Sequence, residues 1–302
     1  MVLGHNSLPC IESKLIYAFH MPAFFILSGY LYKPQKWYKT LKCMLIPILF
    51  FSFIRFIFYI LNQSLNGGIE LKWNLIERCF LPFLKTNVSN EITLFSGIWF
   101  LICLIFCRLI CGVFYKYKSY KCIYYLAIAA FIYMATEQLW INNTSITEWF
   151  IYRTIACFPF FAFGIAIKQI PLRIPTVKTS ISITLGSIFC ISAILQKPIE
   201  MYSGTYGYNY LFFSLVALLG SFLLFTFCSK QKENTLFTTF STGTLLILGA
   251  HKIIINIAET LFNKLEIQNN IILPYFFSCM VMTIAYFPIK WCIKYCPILL
   301  GK

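Results

Sequence analysis

The chain has 302 residues, 59% hydrophobic and 19% aromatic, with only 12% charged and a mean hydropathy of +0.75; a soluble domain carries about 25% charged residues. That composition excludes a soluble enzyme, a disulfide scaffold and a disordered chain, and it describes an integral membrane protein. The net charge of +15 would suit nucleic acid, but the basic residues lie in short breaks between apolar runs rather than along one helical face, so nucleic acid is excluded as a partner and the lipid bilayer takes its place.

Apolar runs recur near 15–31, 41–61, 93–113, 122–140, 149–167, 178–196, 208–228, 241–260 and 272–295, each close to the ~20 residues that cross a ~30 Å hydrocarbon core. They predict an all-α, polytopic bundle of nine full transmembrane helices in a single domain, 1–302. Ahead of them stands a remnant of a first helix, residues 1–5, which at 1.5 Å per residue spans only about 7.5 Å. A polar turn through Asn6, Ser7 and Pro9 follows it. The longest break, 62–92, is expected to lie partly on the membrane surface through Trp73 and Phe80. No second domain or internal repeat is visible, which argues against an inverted-repeat transporter.

The breaks alternate in charge. Basic residues crowd 33–42, 116–121, 168–178, 230–233 and 290–302, which together hold 15 Lys and Arg against one carboxylate, Glu233. The opposite set holds the other nine Glu and six basic residues. By the positive-inside rule the first set is cytoplasmic, and so is the C-terminus.

The inventory of reactive groups is small. All ten acidic residues are Glu, and the only histidines are His5, His20 and His251. An Asp-rich magnesium site or a carboxylate dyad has little to be built from, and no metal is expected. Cys103, Cys107 and Cys111 repeat at i, i+4 without a CxxC pair, which reads as small lipid-side or packing residues rather than ligands.

Four basic residues fall inside predicted spans: Arg55, Arg108, Arg153 and Lys252. Arg108 is near a cytoplasmic end and can snorkel. Arg55 and Arg153 occupy the outer third, with no Glu in the hydrocarbon near them, so a ligand can supply the missing anion; reaching the outer headgroups is the other reading. His5, His20 and Trp99 also fall in the outer half, and His251 near mid-membrane. Imidazole takes a proton from a hydroxyl near neutral pH and returns it to a leaving group, which no other side chain here does without a strong pKa shift.

The segments VLGHNS (2–7) and FHMPAFFILSGYLY (19–32) resemble the bacterial acyltransferase family 3, integral-membrane enzymes that O-acylate surface sugars. WFLICLIF (99–106), FPFFAFGIAIK (158–168), EMYSGTYGYNYLFF (200–213) and STGTLLILGAHK (241–252) continue the likeness in the family's order, most closely to its fucose 4-O-acetylase-like branch. The resemblance implies a ten-helix bundle in the bacterial inner membrane that uses cytoplasmic acetyl-CoA to acetylate a hydroxyl of a cell-surface glycan. It also implies a longer first helix with a basic residue upstream of His5, encoded ahead of Met1.

Transfer to a hydroxyl needs a base, charge stabilisation for the oxyanion and a hold on the thioester. By the resemblance, His5 is the candidate base or acyl relay and His20 its partner. Arg55 and Arg153 are candidates for the donor's phosphates or an acidic sugar, Trp99 for stacking on a sugar or adenine, and His251 and Ser28 for lining the substrate tunnel. Gly29 and Tyr30 complete the Ser28 segment, where plain helix packing is the competing reading. Tyr206 and Tyr208 read equally as interface-belt aromatics or acceptor contacts. A polysaccharide or lipid-linked-sugar transporter is the alternative function, but it would not require histidine at both ends of one short outer hairpin.

Overall fold

A computed structural model describes residues 2–6, 8–65, 98–140, 150–169, 179–264 and 272–301. Among them the chain is almost wholly helical. Its helices are α1 (Cys10–Tyr17), α2 (His20–Tyr30), α3 (Trp37–Leu65), α4 (Ile98–Lys116), α5 (Tyr120–Trp140), α6 (Phe150–Gln169), α7 (Thr179–Leu195), α8 (Tyr210–Ser229), α9 (Thr235–Thr242), α10 (Thr244–Lys264) and α11 (Leu273–Tyr295). The one sheet is a hairpin of β1 (Ile199–Glu200) and β2 (Thr205–Tyr206), and short 3-10 turns cover Leu3–His5 and Pro297–Leu300. The surface segment expected at 62–92 lies outside the described residues from 66 onward.

Every predicted apolar run coincides with helix, and seven spans among the described residues are long and apolar enough to cross a membrane. Of the remaining two runs, α7 has only 17 residues. The other, α5, has 21, but they include four tyrosines, Lys121 and Glu137.

Two predicted spans are not single helices. The first breaks at Ala18–Phe19 into α1 and α2, because Pro22 has no N–H for the Ala18 carbonyl and its ring clashes with a continuous turn there. The run at 241–260 is likewise divided at Gly243, which separates α9 from α10.

The chain forms two compact units, each assembled from separate stretches of sequence. One comprises Met1–Pro9, Tyr38–Ile102 and Glu233–Lys302; the other comprises Cys10–Trp37 and Cys103–Lys232. In the first unit α11 packs against α9, α10, the 3-10 turn at Leu3–His5 and the one at Pro297–Leu300.

In the second unit α6 is the central element. It packs along α2 and α5, while α8 covers α2, α5 and α7. The α2–α6 contact is backbone on backbone: a Cβ on Gly29 would lie 2.0 Å from the Phe161 carbonyl oxygen, and one on Gly164 would lie 2.0 Å from that of Ile26. Small residues permit this approach where a bilayer supplies no hydrophobic drive between helices. The expected close helix approach at Ser28-Gly29 is therefore packing of α2 on α6, with Ser28 half-buried beside it. Cys103, Cys107 and Cys111 are fully buried, and the Cys103 thiol points to the Phe150 carbonyl, 3.7 Å away. They face protein rather than lipid.

Candidate functional site

The break between α1 and α2 sets the position of His20. At the end of α1 the His20 side chain adds a donor: its Nδ1 lies 2.8 Å from the Ile16 carbonyl oxygen, which also accepts from the Phe19 N–H at 3.3 Å. A carbonyl only accepts, so Nδ1 carries a proton and donates, and Nε2 is the nitrogen left for other partners. The ring is held edge-on by Tyr17, with centroids 5.1 Å apart, and is buried. Phe19, next to it, packs edge-on against Phe189 and over Gly220, where a Cβ would come within 2.8 Å of the Phe19 Cβ. His20 is thus an imidazole held in one orientation at a helix start.

A second cluster lies beneath the β-hairpin of the same unit. Helix α7 stops at Leu195 because Pro198 biases the residues before it away from helix. The chain then turns through β1 and β2, paired antiparallel as Ile199↔Tyr206 and Glu200↔Thr205. The Glu200 carbonyl ties the turn together, accepting from the Gly204 N–H at 3.0 Å and the Ser203 hydroxyl at 3.0 Å. The hairpin packs on α1, so it borders the element that carries Tyr17 and precedes His20.

Arg153, on α6, is under this hairpin and only 1% exposed. Its Nε donates to the Tyr202 carbonyl at 2.9 Å, while Nη1 and Nη2 have no hydrogen-bond partner among the described residues. The guanidinium carbon sits 5.1 Å from the Tyr152 ring centroid, and the Tyr152 hydroxyl donates to Glu137. The expectation that no carboxylate stands near Arg153 is corrected here: Glu137, on α5, reaches it through one ring. It makes no direct ion pair with the guanidinium. Burial raises the Tyr206 phenol well above its usual pKa, more than the neighbouring Arg153 charge lowers it, so the hydroxyl keeps its proton.

His5, Arg55, Trp99 and His251 belong to the first unit. Asn6 donates through Nδ2 to the Pro274 carbonyl at 2.8 Å and to the Ser278 hydroxyl at 2.7 Å, pinning the Leu3–His5 turn to the start of α11. The imidazole of His5 and the side chain of Arg55, on α3, lie outside the described residues. Trp99 is buried against Phe100 at the start of α4. His251 is fully buried on α10, with Nδ1 3.0 Å from the Ile247 carbonyl and 2.8 Å from that of Leu248. Its Nδ1 is therefore also the protonated nitrogen. The structure places His5, Arg55, Trp99 and His251 in one unit and His20, Ser28 and Arg153 in the other.

The sequence profile of an acyltransferase domain, that of acyltransferase family 3, matches residues 1–291. The chain belongs to acyltransferase family 3. It is accordingly a multi-pass membrane acyltransferase. No curated protein and no solved structure matches it. The family match spans both units, so the residues of each are parts of one acyltransferase.

Sequence reasoning missed the buried amide of Gln196 and the structural tie made by Asn6, and left Tyr206 between two readings. Gln196 is 1% exposed with neither amide atom hydrogen-bonded among the described residues. Its signal was present: a lone amide at the end of an apolar run, followed by a loop with Gly204 and Gly207.

Proposed function

We propose that this acyltransferase is an O-acetyltransferase of the fucose 4-O-acetylase-like branch. It moves an acetyl group from cytoplasmic acetyl-CoA to a sugar hydroxyl of a cell-surface polysaccharide or its lipid-linked precursor. The observation that carries the reading is the fixed Nδ1–H of His20, which leaves Nε2 as a buried, oriented base or donor in a membrane acyltransferase.

The chemistry balances with few groups. The sugar oxygen attacks the thioester carbonyl and loses its proton to a histidine; the carbon–sulfur bond then breaks, and the proton passes to the departing thiolate. His5 serves as base or acyl relay, and His20 positions it or donates to the oxyanion. Arg55 and Arg153 bind the donor's phosphates or an acidic sugar, Trp99 stacks on a ring, and His251 and Ser28 line the substrate path. No step calls for a metal.

The proposed topology has nine full spans in the bacterial inner membrane, with the C-terminus cytoplasmic. Reporter fusions should place 32–42, 114–121, 168–178, 229–240 and the C-terminus in the cytoplasm and 196–208 outside. One loop on the wrong side removes a helix from the count.

The function itself is tested by incubating membranes that contain the protein with acetyl-CoA labelled in its acetyl group. Label should appear in an ester on glycan and be released by mild alkali. Membranes that leave acetyl-CoA intact and the glycan unlabelled overturn the reading, and a glycan that merely changes sides without gaining an ester assigns the protein to transport.

A further inference from the structure

The hairpin cluster has more donors than its surroundings use. Arg153 Nη1 and Nη2, both amide atoms of Gln196 and the hydroxyl of Tyr206 are all buried and lack hydrogen-bond partners among the described residues. Arg153 and Gln196 are 1% exposed and Tyr206 6%. Native proteins leave few such groups, and each costs about 1–3 kcal/mol when orphaned, more when charged.

Two glycines bring the hairpin down onto these groups. Gly204, at φ +84, has its Cα against the guanidinium: a Cβ there would lie 2.2 Å from Arg153 Nη1 and 2.8 Å from Nη2. Gly207, at φ +64, does the same for the amide, with its Cβ position 2.0 Å from Gln196 Oε1. Both backbones lie in the left-handed region that favours glycine. The hairpin main chain thus closes directly over an unsatisfied guanidinium and an unsatisfied amide, three residues apart along one loop.

The composition of the cluster specifies the ligand's chemistry. The free nitrogens of Arg153 carry four N–H groups, the Gln196 amide two and Tyr206 one O–H, against acceptors only on Gln196 and Tyr206. Glu137, the nearby carboxylate, is engaged by the Tyr152 hydroxyl. A neutral sugar hydroxyl brings as many donors as it needs acceptors and leaves the charge unbalanced. An oxyanion brings acceptors only, and the two Nη groups can bind it as a fork.

We propose that the cluster of unsatisfied polar groups beneath the 199–206 hairpin is an oxyanion-binding subsite, in which Arg153, Gln196 and Tyr206 hold a carboxylate or phosphate of the substrate. It rests on the acyltransferase reading only for which substrate carries that group: an acidic sugar as acceptor, or the phosphates of the donor or of a lipid-linked sugar.

The test uses the full chain in lipid nanodiscs, followed by thermal unfolding through tryptophan fluorescence. Millimolar glucuronate, glucose and inorganic pyrophosphate are added at matched ionic strength. Glucuronate raising the unfolding midpoint while glucose does not assigns the subsite to a sugar carboxylate; pyrophosphate raising it instead assigns it to a phosphate. Gln196→Leu and Tyr206→Phe, which remove the polar atoms while keeping the bulk, should each weaken the effective anion about tenfold, and Arg153→Lys at least as much because it loses the fork. Neither anion shifting the midpoint beyond sodium chloride overturns the proposal. So does an anion effect that survives in the Gln196 and Tyr206 variants.

Release of free CoA from acetyl-CoA, measured on the same nanodiscs, separates this proposal from the function. A chain that consumes acetyl-CoA but ignores both anions loses the subsite and keeps the acyltransferase activity. One that binds an anion without consuming any acyl-CoA keeps the subsite and loses the acetyl-CoA reading.

Discussion

Replacing His20 with Ala should reduce acetyl transfer about 10²-fold or more, the contribution usual for a positioned acid or base. The change removes two things at once. It deletes Nε2, the nitrogen free to act as base or donor, and it removes the hydrogen bond that His20 Nδ1 gives the Ile16 carbonyl at 2.8 Å. The second loss costs about 0.5–1.5 kcal/mol, the net contribution of one hydrogen bond, because the carbonyl keeps the Phe19 N–H, so the Ala variant should also be somewhat less abundant. His20→Asn separates the effects, because its amide nitrogen stands near the place of Nδ1 and can still donate to Ile16. The Asn variant should recover protein level without recovering transfer. His5→Ala should lose transfer to the same extent, and a double variant that still esterifies the glycan at the normal rate would remove both histidines from the mechanism. If His20 is only a helix cap, the Asn variant will be as active per molecule as the parent.

The order of helices was legible because a membrane helix needs only length and apolarity, and both are written residue by residue. Breaks within a span were harder to see. Ala18 and Phe19 are as apolar as their neighbours, so hydropathy runs straight through the point where α1 ends. Pro22 was the available signal, and it acts on the carbonyl four residues earlier rather than at its own position. The hairpin at 199–206 escaped for a related reason: four strand residues pair only because Gly204 and Gly207 take positive φ over Arg153 and Gln196. That reason is tertiary. Arg153 itself was found from the cost of burying a charge, which depends on nothing but residue type and depth. Its relation to Glu137 was not, since the two are joined by the Tyr152 ring across α5 and α6 and are 16 positions apart in sequence.

The α2–α6 crossing carries the second large effect, now on stability. Ala at Gly29 or Gly164 gains about 1 kcal/mol of helix propensity over Gly. Against that, the new methyl would stand 2.0 Å from a carbonyl oxygen of the facing helix in either case, and neither backbone can rotate away as a side chain could. Overpacking costs about 1–3 kcal/mol or more, so the clash wins. Either variant should unfold several degrees lower in nanodiscs. Gly186, on α7, is the internal control: a Cβ there meets nothing within 4 Å, so Gly186→Ala should be neutral or slightly stabilising. Equal midpoints for Gly29→Ala and Gly186→Ala would show that the crossing is looser than described. The same pair of glycines bears on catalysis, because α2 carries His20 and α6 carries Arg153. Forcing the two helices apart displaces His20 from the proposed anion site without touching either residue. Gly164→Ala should therefore lower transfer per folded molecule as well as stability, whereas Gly186→Ala should leave both unchanged.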